Sequence, residues 1–480
     1  MSGPDLAALP AARMVRGFRD RSLGPVEVLE AVLARLDQVE PFINAFVHVD
    51  RAGAMAAAQA AEARHARGAA LGPLDGIPVS VKDMLLTRGM PTRKGSLTTD
   101  PEAPQDTDAP AVARLRAQGA VLYGKTTTTE FGGSPYSISP LTGATRSPWH
   151  LGYGCAGSSM GAAAHLAAGV GTLALGNDAA GSIRMPASFG GVVGLKPTFG
   201  RVATWPPSAA GILGHTGPMG WSVADTALLF DAILGPDPRD AWSLPAPTGS
   251  MLPEATPDLH GITIAYSPTL GIRAPDPIVR AATDAAVAQL ADLGAEVTEV
   301  DPPLDGLFEA YDTLRICNRA AAYRASGAAS ARGQMDELVS RVLDQAAAYS
   351  VADYVAALAR RESLTAAMAA FHARYALLVT PTLAVPPLPI GAGPGPEDAH
   401  WYQIGGEIWS PYTFAFNMAH QPALSLPCGL TSGGEVDGLP IGLQIVGARH
   451  ADALVLRAGQ ALEATRGWER PAFPFRGAVP

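Results

Sequence analysis

The chain has 480 residues, 48% hydrophobic and 16% charged, with a net charge of −9. That is ample apolar material for a large core, while the acidic balance argues against nucleic acid or an anionic membrane as the main partner. No run approaches about 18 uninterrupted apolar residues, the N-terminus lacks a secretory apolar segment, and the cysteines Cys155, Cys317 and Cys428 are too scattered for a zinc site or a disulfide framework. The expectation is a cytoplasmic protein with no metal, no cofactor, and a small molecule as its partner.

Residues 5–70 read as helices. Pro25-Val26-Glu27 opens one after Ser22, and Val28, Leu29, Val32, Leu33 and Leu36 recur at helical spacing. Ala52 to Ala66 is alanine-rich and helix-prone. This arm, residues 1–70, is read as a packing or dimer-forming element, which leaves a homodimer open. Leu74–Lys82 reads as a strand with Asp75-Gly76 at its mouth, Ala109–Gln118 as a helix closed by Gly119, and Ala120–Tyr123 as the next strand.

Gly119 to Thr126 matches the phosphate-loop pattern GxxxxGK[ST]. That pattern works only as a loop wrapped round phosphates and followed by a helix. Here the intervening Ala-Val-Leu-Tyr is a buried strand and TTTTEFGG is a poor helix start, so Lys125 is read as a structural lysine at a strand end. Phe131 to Trp149 is rich in Gly, Pro and Ser, and reads as a loop.

Gly152 to Thr198 holds two serines in glycine/alanine-rich turns, Ser158 and Ser182. Met160–Val170 between them reads as a helix and Thr172–Leu175 as a strand. A helix of about 11 residues rises roughly 16 Å and a strand of about 5 residues returns roughly 17 Å, which leaves both hydroxyls at one end of the sheet. The only local base, His165, would sit inside the helix. Lys82 is the upstream candidate.

Gly235–Pro257 reads as a surface crossover. Ile262–Tyr266, Pro277–Leu293 and Glu296–Val300 read as strand, helix, strand, and residues 305–373 as helical throughout. Leu377–Thr380, Ala423–Pro427 and Gly442–Val446 are the remaining strands, and Ala451–Glu463 is the closing helix. Pro386–His400 can hold neither helix nor ladder. The aromatics after it, Trp401, Tyr402, Trp409, Tyr412, Phe414 and Phe416, fit either a lid over an apolar pocket or plain core.

Three segments carry a specific resemblance: GIPVSVKD (Gly76–Asp83), AGSSMGAAA (Ala156–Ala164) and NDAAGSIRMPASFGGVVGLKPTFGRV (Asn177–Val202). They resemble the amidase signature family of serine hydrolases, and Gly217–Ile233 and Phe416–Gly447 extend the match. The resemblance implies one large α/β domain: a central twisted mixed sheet, mostly parallel, with helices on both faces. Within it, 71–235 would be the catalytic core, and 236–480 the rest of the sheet, helices and lid. It implies Lys82, Ser158 and Ser182 as the catalytic triad, a cis peptide at Ser158, and Ala179, Ala180, Gly181 and Ser182 as oxyanion donors. Asp178 and Arg184 would brace that turn. Phe131, Gly132 and Gly133, in the loop over the acyl side, and Trp409 are the expected substrate contacts.

The sequence departs from the family pattern at Met160, Asn177 and Ala180. Ala180 can still donate its N–H but takes positive φ less cheaply than glycine. A lysine works as a base at neutral pH only if burial lowers its pKa. The resemblance implies a hydrolase of amide, anilide or carbamate C–N bonds, and by the same chemistry esters, in small, fairly apolar substrates through an acyl-enzyme. The alternative is the glutamine-hydrolysing component of a tRNA-dependent amidotransferase, although 330–420 shows no Arg/Asp pair to hold free glutamine. A Ser-His-Asp arrangement would draw on His150, His165 or His215, but no GxSxG elbow supports it. A non-catalytic Gly-rich binding protein is the remaining class.

Overall fold

Eleven short strands build one sheet. The structure is a computed structural model that describes residues 5–255, 257–394, 398, 402–433 and 436–477. The strands are β1 Phe46–Val49, β2 Pro78–Lys82, β3 Val121–Thr126, β4 Leu173–Asp178, β5 Val193–Lys196, β6 His215–Gly220, β7 Thr263–Tyr266, β8 Glu296–Glu299, β9 Leu377–Pro381, β10 Ala423–Leu430 and β11 Pro440–Gly447. Their spatial order is β1-β3-β2-β4-β6-β5-β10-β11-β9-β7-β8.

The sheet is mixed, as expected, but not mostly parallel. Among the described residues, only β2–β3, β2–β4, β7–β8 and β7–β9 are parallel ladders, and the other six are antiparallel. Chain length accounts for the β10–β11 pair. A parallel crossover needs a dozen or more residues, usually with a helix. The link from Leu430 to Pro440 is too short for one, and residues 197–214 between β5 and β6 contain only a single 3-10 turn.

The longer helices are α1 Ala11–Asp20, α2 Pro25–Ile43, α3 Arg51–Ala66, α4 Pro110–Ala117, α5 Met160–Ala167, α6 Arg184–Gly190, α7 Val223–Ile233, α8 Pro277–Asp292, α9 Leu307–Ala325, α10 Val351–His372 and α11 Asp452–Ala464. Side chains alternate across the sheet. Val79, Val81, Leu173, Leu175, Leu377, Val379, Leu424 and Leu426 pack with α1, α4, α7, α8 and α11 on one face. Ala174 and Tyr123 face α2, α3 and α5 on the other, where Leu378 and Ala423 meet α9 and α10. Both faces are therefore covered, which is why the central strands read as nearly continuous apolar runs.

The N-terminal helices pack as expected: Val28, Leu29, Val32, Leu33 and Leu36 are all buried. The sequence reading missed β1, a four-residue edge strand between two helices, together with β5 and β6. Residues 305–373 are helical nearly throughout as expected, but α9 and α10 are joined by one-turn α-helices and 3-10 segments rather than by continuous helix. No helix among the described residues is long and apolar enough to cross a membrane.

α5 presses directly on backbone. A side-chain carbon at Gly161 would collide with the Ala45 carbonyl oxygen and the Thr127 backbone nitrogen. Gly161→Ala is therefore expected to lower stability by about 1–3 kcal/mol through overpacking, read as an earlier midpoint in chemical denaturation.

Candidate active site

Parallel strands present their carboxyl ends to ligands. Lys82 is the last residue of β2, and β4 runs parallel beside it, pairing Val81 with Leu175. Lys82 and the Asn177–Ser182 turn therefore share one edge. α5 starts just after Ser158 and Ser159. It is shorter than its expected range and β4 is longer, yet the return closes as anticipated: Ser159 N–H donates to the Ser182 carbonyl at 3.1 Å.

Lys82 Nζ donates to Ser158 Oγ at 2.7 Å and to the Asn177 carbonyl at 3.3 Å. Lys82 has no exposed surface and Ser158 almost none. Burial drives the Lys82 pKa well below its ordinary value; Asp178 pulls it back up and Arg319 pushes it further down. Burial thus favours the neutral amine, the form whose lone pair can accept the hydroxyl proton. The Gly157–Ser158 peptide is cis. Gly132 holds φ +63, and a side-chain carbon there would lie 3.2 Å from Ser158 Oγ, so backbone alone fits against the hydroxyl. Ser182 lies on the same cavity wall. Among the described residues, no hydrogen bond joins the Ser158 and Ser182 hydroxyls directly.

The turn carrying Ser182 is fixed by a buried ion pair. Arg184 Nε and NH2 each donate to Asp178 at 3.0 Å, and Asp178 also accepts from Gly181 N–H at 2.7 Å, Ile183 N–H at 3.1 Å and Asn417 Nδ2 at 2.9 Å. Arg184 spends its remaining donors on the Thr413 carbonyl, Gln444 Oε1 and Asn417 Oδ1. Burial alone would raise the Asp178 pKa; Arg184 and Lys196 hold it well below the usual carboxylate range. Asp178 and Arg184 thus brace the turn as expected. Gly181 donates its N–H to Asp178, so of the expected oxyanion donors its amide already has a partner. Ala180 is not among the residues with positive φ, so alanine there is unstrained, while Gly181 takes φ +119.

The cavity holds about 460 Å³, in the range that takes a small molecule. Met84, Leu85, Phe131, Gly132, Ala179 and Pro206 line it beside both serines. Gly133 sits just behind, against Val339 and Arg319. Trp409 is a correction. It is buried, donates Nε1 to Tyr136 OH at 3.2 Å, and borders a separate cavity of about 180 Å³ together with Leu388 to Gly393. The described part of the expected lid therefore covers that smaller space. Residues 395–397, 399 and 400 of the lid, and Trp401, lie outside the described residues. Tyr412, Phe414 and Phe416 are core, packed with Tyr311 and Leu314, and Tyr402 is buried as well.

The other singled-out residues take structural places. Lys125 lies within β3 and donates to Leu85 O at 2.8 Å and Thr92 Oγ1 at 2.7 Å, so the phosphate-loop pattern is a strand. His165 is fully buried: its Nδ1 donates to Val170 O at 2.8 Å, Ser80 Oγ donates to its Nε2 at 2.7 Å, and burial lowers its pKa to about 4. His215 lines the cavity with Nδ1 on Leu213 O at 2.8 Å, and burial drives its pKa well below the ordinary value. His150 bonds to Gly152 N–H. Among the described residues no histidine hydrogen-bonds to Ser158 or Ser182, and no group of three His, Cys, Asp or Glu is placed to hold a metal. The sequence reading missed two cations in the cavity wall, Lys94 and Arg319.

Residues 27–456 match the family model described as Amidase. The chain belongs to the amidase family. It is 34% identical to an acylamidase of Rhodococcus erythropolis, over 98% of this chain and 99% of that one. It is also 36% identical to a glutamyl-tRNA(Gln) amidotransferase subunit of Chloroflexus aggregans, over 93% of this chain and 94% of that one. The fold superposes on the crystal structure of a bacterial aryl acylamidase of the amidase signature family with a TM-score of 0.88 at 27% identity, covering 97% of this chain and 98% of that one. This amidase is accordingly a hydrolase acting on C–N bonds.

Burial of Lys82 couples stability to pH. Between its lowered folded pKa and its ordinary unfolded value, the unfolded chain holds one more proton at Lys82 than the folded chain. Stability contributed at this position therefore rises with pH across that window, by about 1.4 kcal/mol per pH unit. Lys82→Met is expected to be at least as stable as wild type at pH 7, with the difference shrinking toward pH 10 in paired urea titrations. A pH-independent difference would place a charged Lys82 in the folded protein.

Proposed function

We propose that this protein is a stand-alone amidase in which Ser182 is the nucleophile, Ser158 the relay and Lys82 the base. The observation that carries the reading is the buried 2.7 Å contact between Lys82 Nζ and Ser158 Oγ. A serine hydroxyl is a weak nucleophile until a base removes its proton, and a desolvated neutral amine is such a base. Lys82 takes the Ser158 proton as Ser158 takes that of Ser182. Ser182 Oγ bonds to the carbonyl carbon, the C–N bond breaks, and the proton returns along the relay to the departing amine. Water then attacks the acyl-enzyme by the same route, releasing the acid and restoring Ser182.

Backbone N–H groups of Ala179, Ala180 and Ser182 are the proposed donors to the oxyanion, with Gly181 held by Asp178 to shape the turn. Phe131 and Gly132 are the proposed substrate contacts. The apolar stretch from Met84 to Leu86 in the cavity wall supports small substrates with an apolar body, as amides, anilides, carbamates or esters. The amidotransferase relatives support a second reading, in which the chain hydrolyses glutamine as one component of a larger complex. Ammonia release from free glutamine, together with capture of partner chains, would favour it.

Ser182→Ala is expected to lower kcat by about 10³-fold or more on an anilide and to abolish the acyl adduct seen by mass spectrometry of the intact protein. An adduct on another residue, or turnover surviving in that variant, would refute the assignment.

A further inference from the structure

We propose that the cavity beside Ser158 and Ser182 takes an amide bearing a carboxylate at its far end, seated by Lys94 and Arg319. The proposal rests on the amidase reading of that cavity and narrows its substrate class. Lys94 lies in the cavity wall, and among the described residues its ammonium has neither a hydrogen bond nor an ion pair. The carboxylate whose field acts on it, Asp83, is not part of the cavity lining; its Oδ1 faces Lys125 Nζ at 3.6 Å and accepts from Arg93 N–H at 3.1 Å, while its buried Oδ2 has no hydrogen-bond partner.

Arg319 reaches the same wall from α9. It donates to the Gly132 carbonyl at 2.9 Å and to Tyr323 OH at 3.3 Å, and its buried Nε has no partner. The two cations bracket one loop, because Phe131 N–H donates to the Lys94 carbonyl at 2.8 Å while Arg319 holds the carbonyl of the next residue. That loop is the one packed against Ser158 Oγ.

The other titratable groups in the wall do not offset these charges. Both Asp178 oxygens bond to Arg184, and burial keeps His215 neutral. The cavity therefore presents two cations and no available carboxylate. Lys94 is half-buried and Arg319 buried, and an entering carboxylate would supply the charge-assisted bonds that Lys94 Nζ and Arg319 Nε lack. The lack of a free acid also disfavours a substrate ammonium. Free glutamine should thus fit worse than the same molecule without its amino group.

Glutaric acid monoamide, pentanamide and glutamine differ by one group at a time. Their binding to the full-length Ser182→Ala protein is measured by calorimetry, and their hydrolysis by wild type through ammonia release. Glutaric acid monoamide is expected to bind at least tenfold tighter than either of the others. Lys94→Met is expected to shrink that margin below threefold, and Lys94→Arg to keep it. The same order should appear in wild type as protection of Ser182 from a fluorophosphonate, which does not depend on how the alanine variant folds. Equal or tighter binding of pentanamide or glutamine, or equal weakening of all three by Lys94→Met, would overturn the proposal. Preferential binding without any fluorophosphonate labelling of Ser182 in wild type would keep the cationic seat and refute the amidase reading. Hydrolysis of pentanamide with no preference for the acid would do the reverse.

Discussion

The structure is organised around an amine that folding removes from water. Lys82 ends a buried strand, has no exposed surface and faces a serine hydroxyl at 2.7 Å. Burying an ammonium without a partner is among the costliest things a fold can do. The cheaper state is the neutral amine, which is also the state that can accept a proton. Desolvation and proposed catalytic competence are here one physical fact.

That arrangement needs the serines held in place, and the sheet and the ion pair do this by different means. Parallel pairing of β2 with β4 sets Lys82 beside the turn after β4. Asp178 and Arg184 then lock the turn from behind, with Asn417, Thr413 and Gln444 satisfying what remains. Such a pair adds little net stability against an apolar replacement, but a half-broken one is costly. Its service here is a single conformation of the Ser182 loop. The Arg319 guanidinium, bonded to the Gly132 carbonyl, and the Lys94 backbone carbonyl, which accepts from Phe131 N–H, hold the Phe131–Gly132 loop that packs against Ser158.

Much of this was legible in the sequence because it rests on local rules. The two serine turns and the helix and strand between them predicted the meeting of Ser158 with the Ser182 turn. The apolar context of Lys82 predicted its burial. His165 read as a helix-interior residue and is one. The illegible parts depend on long-range packing. Trp409 and the aromatics after it look the same whether they line a pocket or fill a core, and the fold put Trp409 on a different cavity. Arg319 sits in a charged helical stretch that reads as a solvated face, and only packing of α9 against the Gly132 loop turns it inward. Lys94 shows no periodic signal because it lies in an irregular loop. The expected parallel sheet failed at β10–β11 because the link from Leu430 to Pro440 is too short to cross over.

The most direct test is the rate at which Ser182 reacts with an uncharged fluorophosphonate, followed from pH 5.5 to 10.5. A neutral buried Lys82 predicts a rate that reaches its plateau well below the ordinary lysine pKa, and an ionisation that vanishes in Lys82→Ala along with most of the rate. A rate that keeps climbing through pH 10.5, or an unchanged profile in Lys82→Ala, would contradict the account.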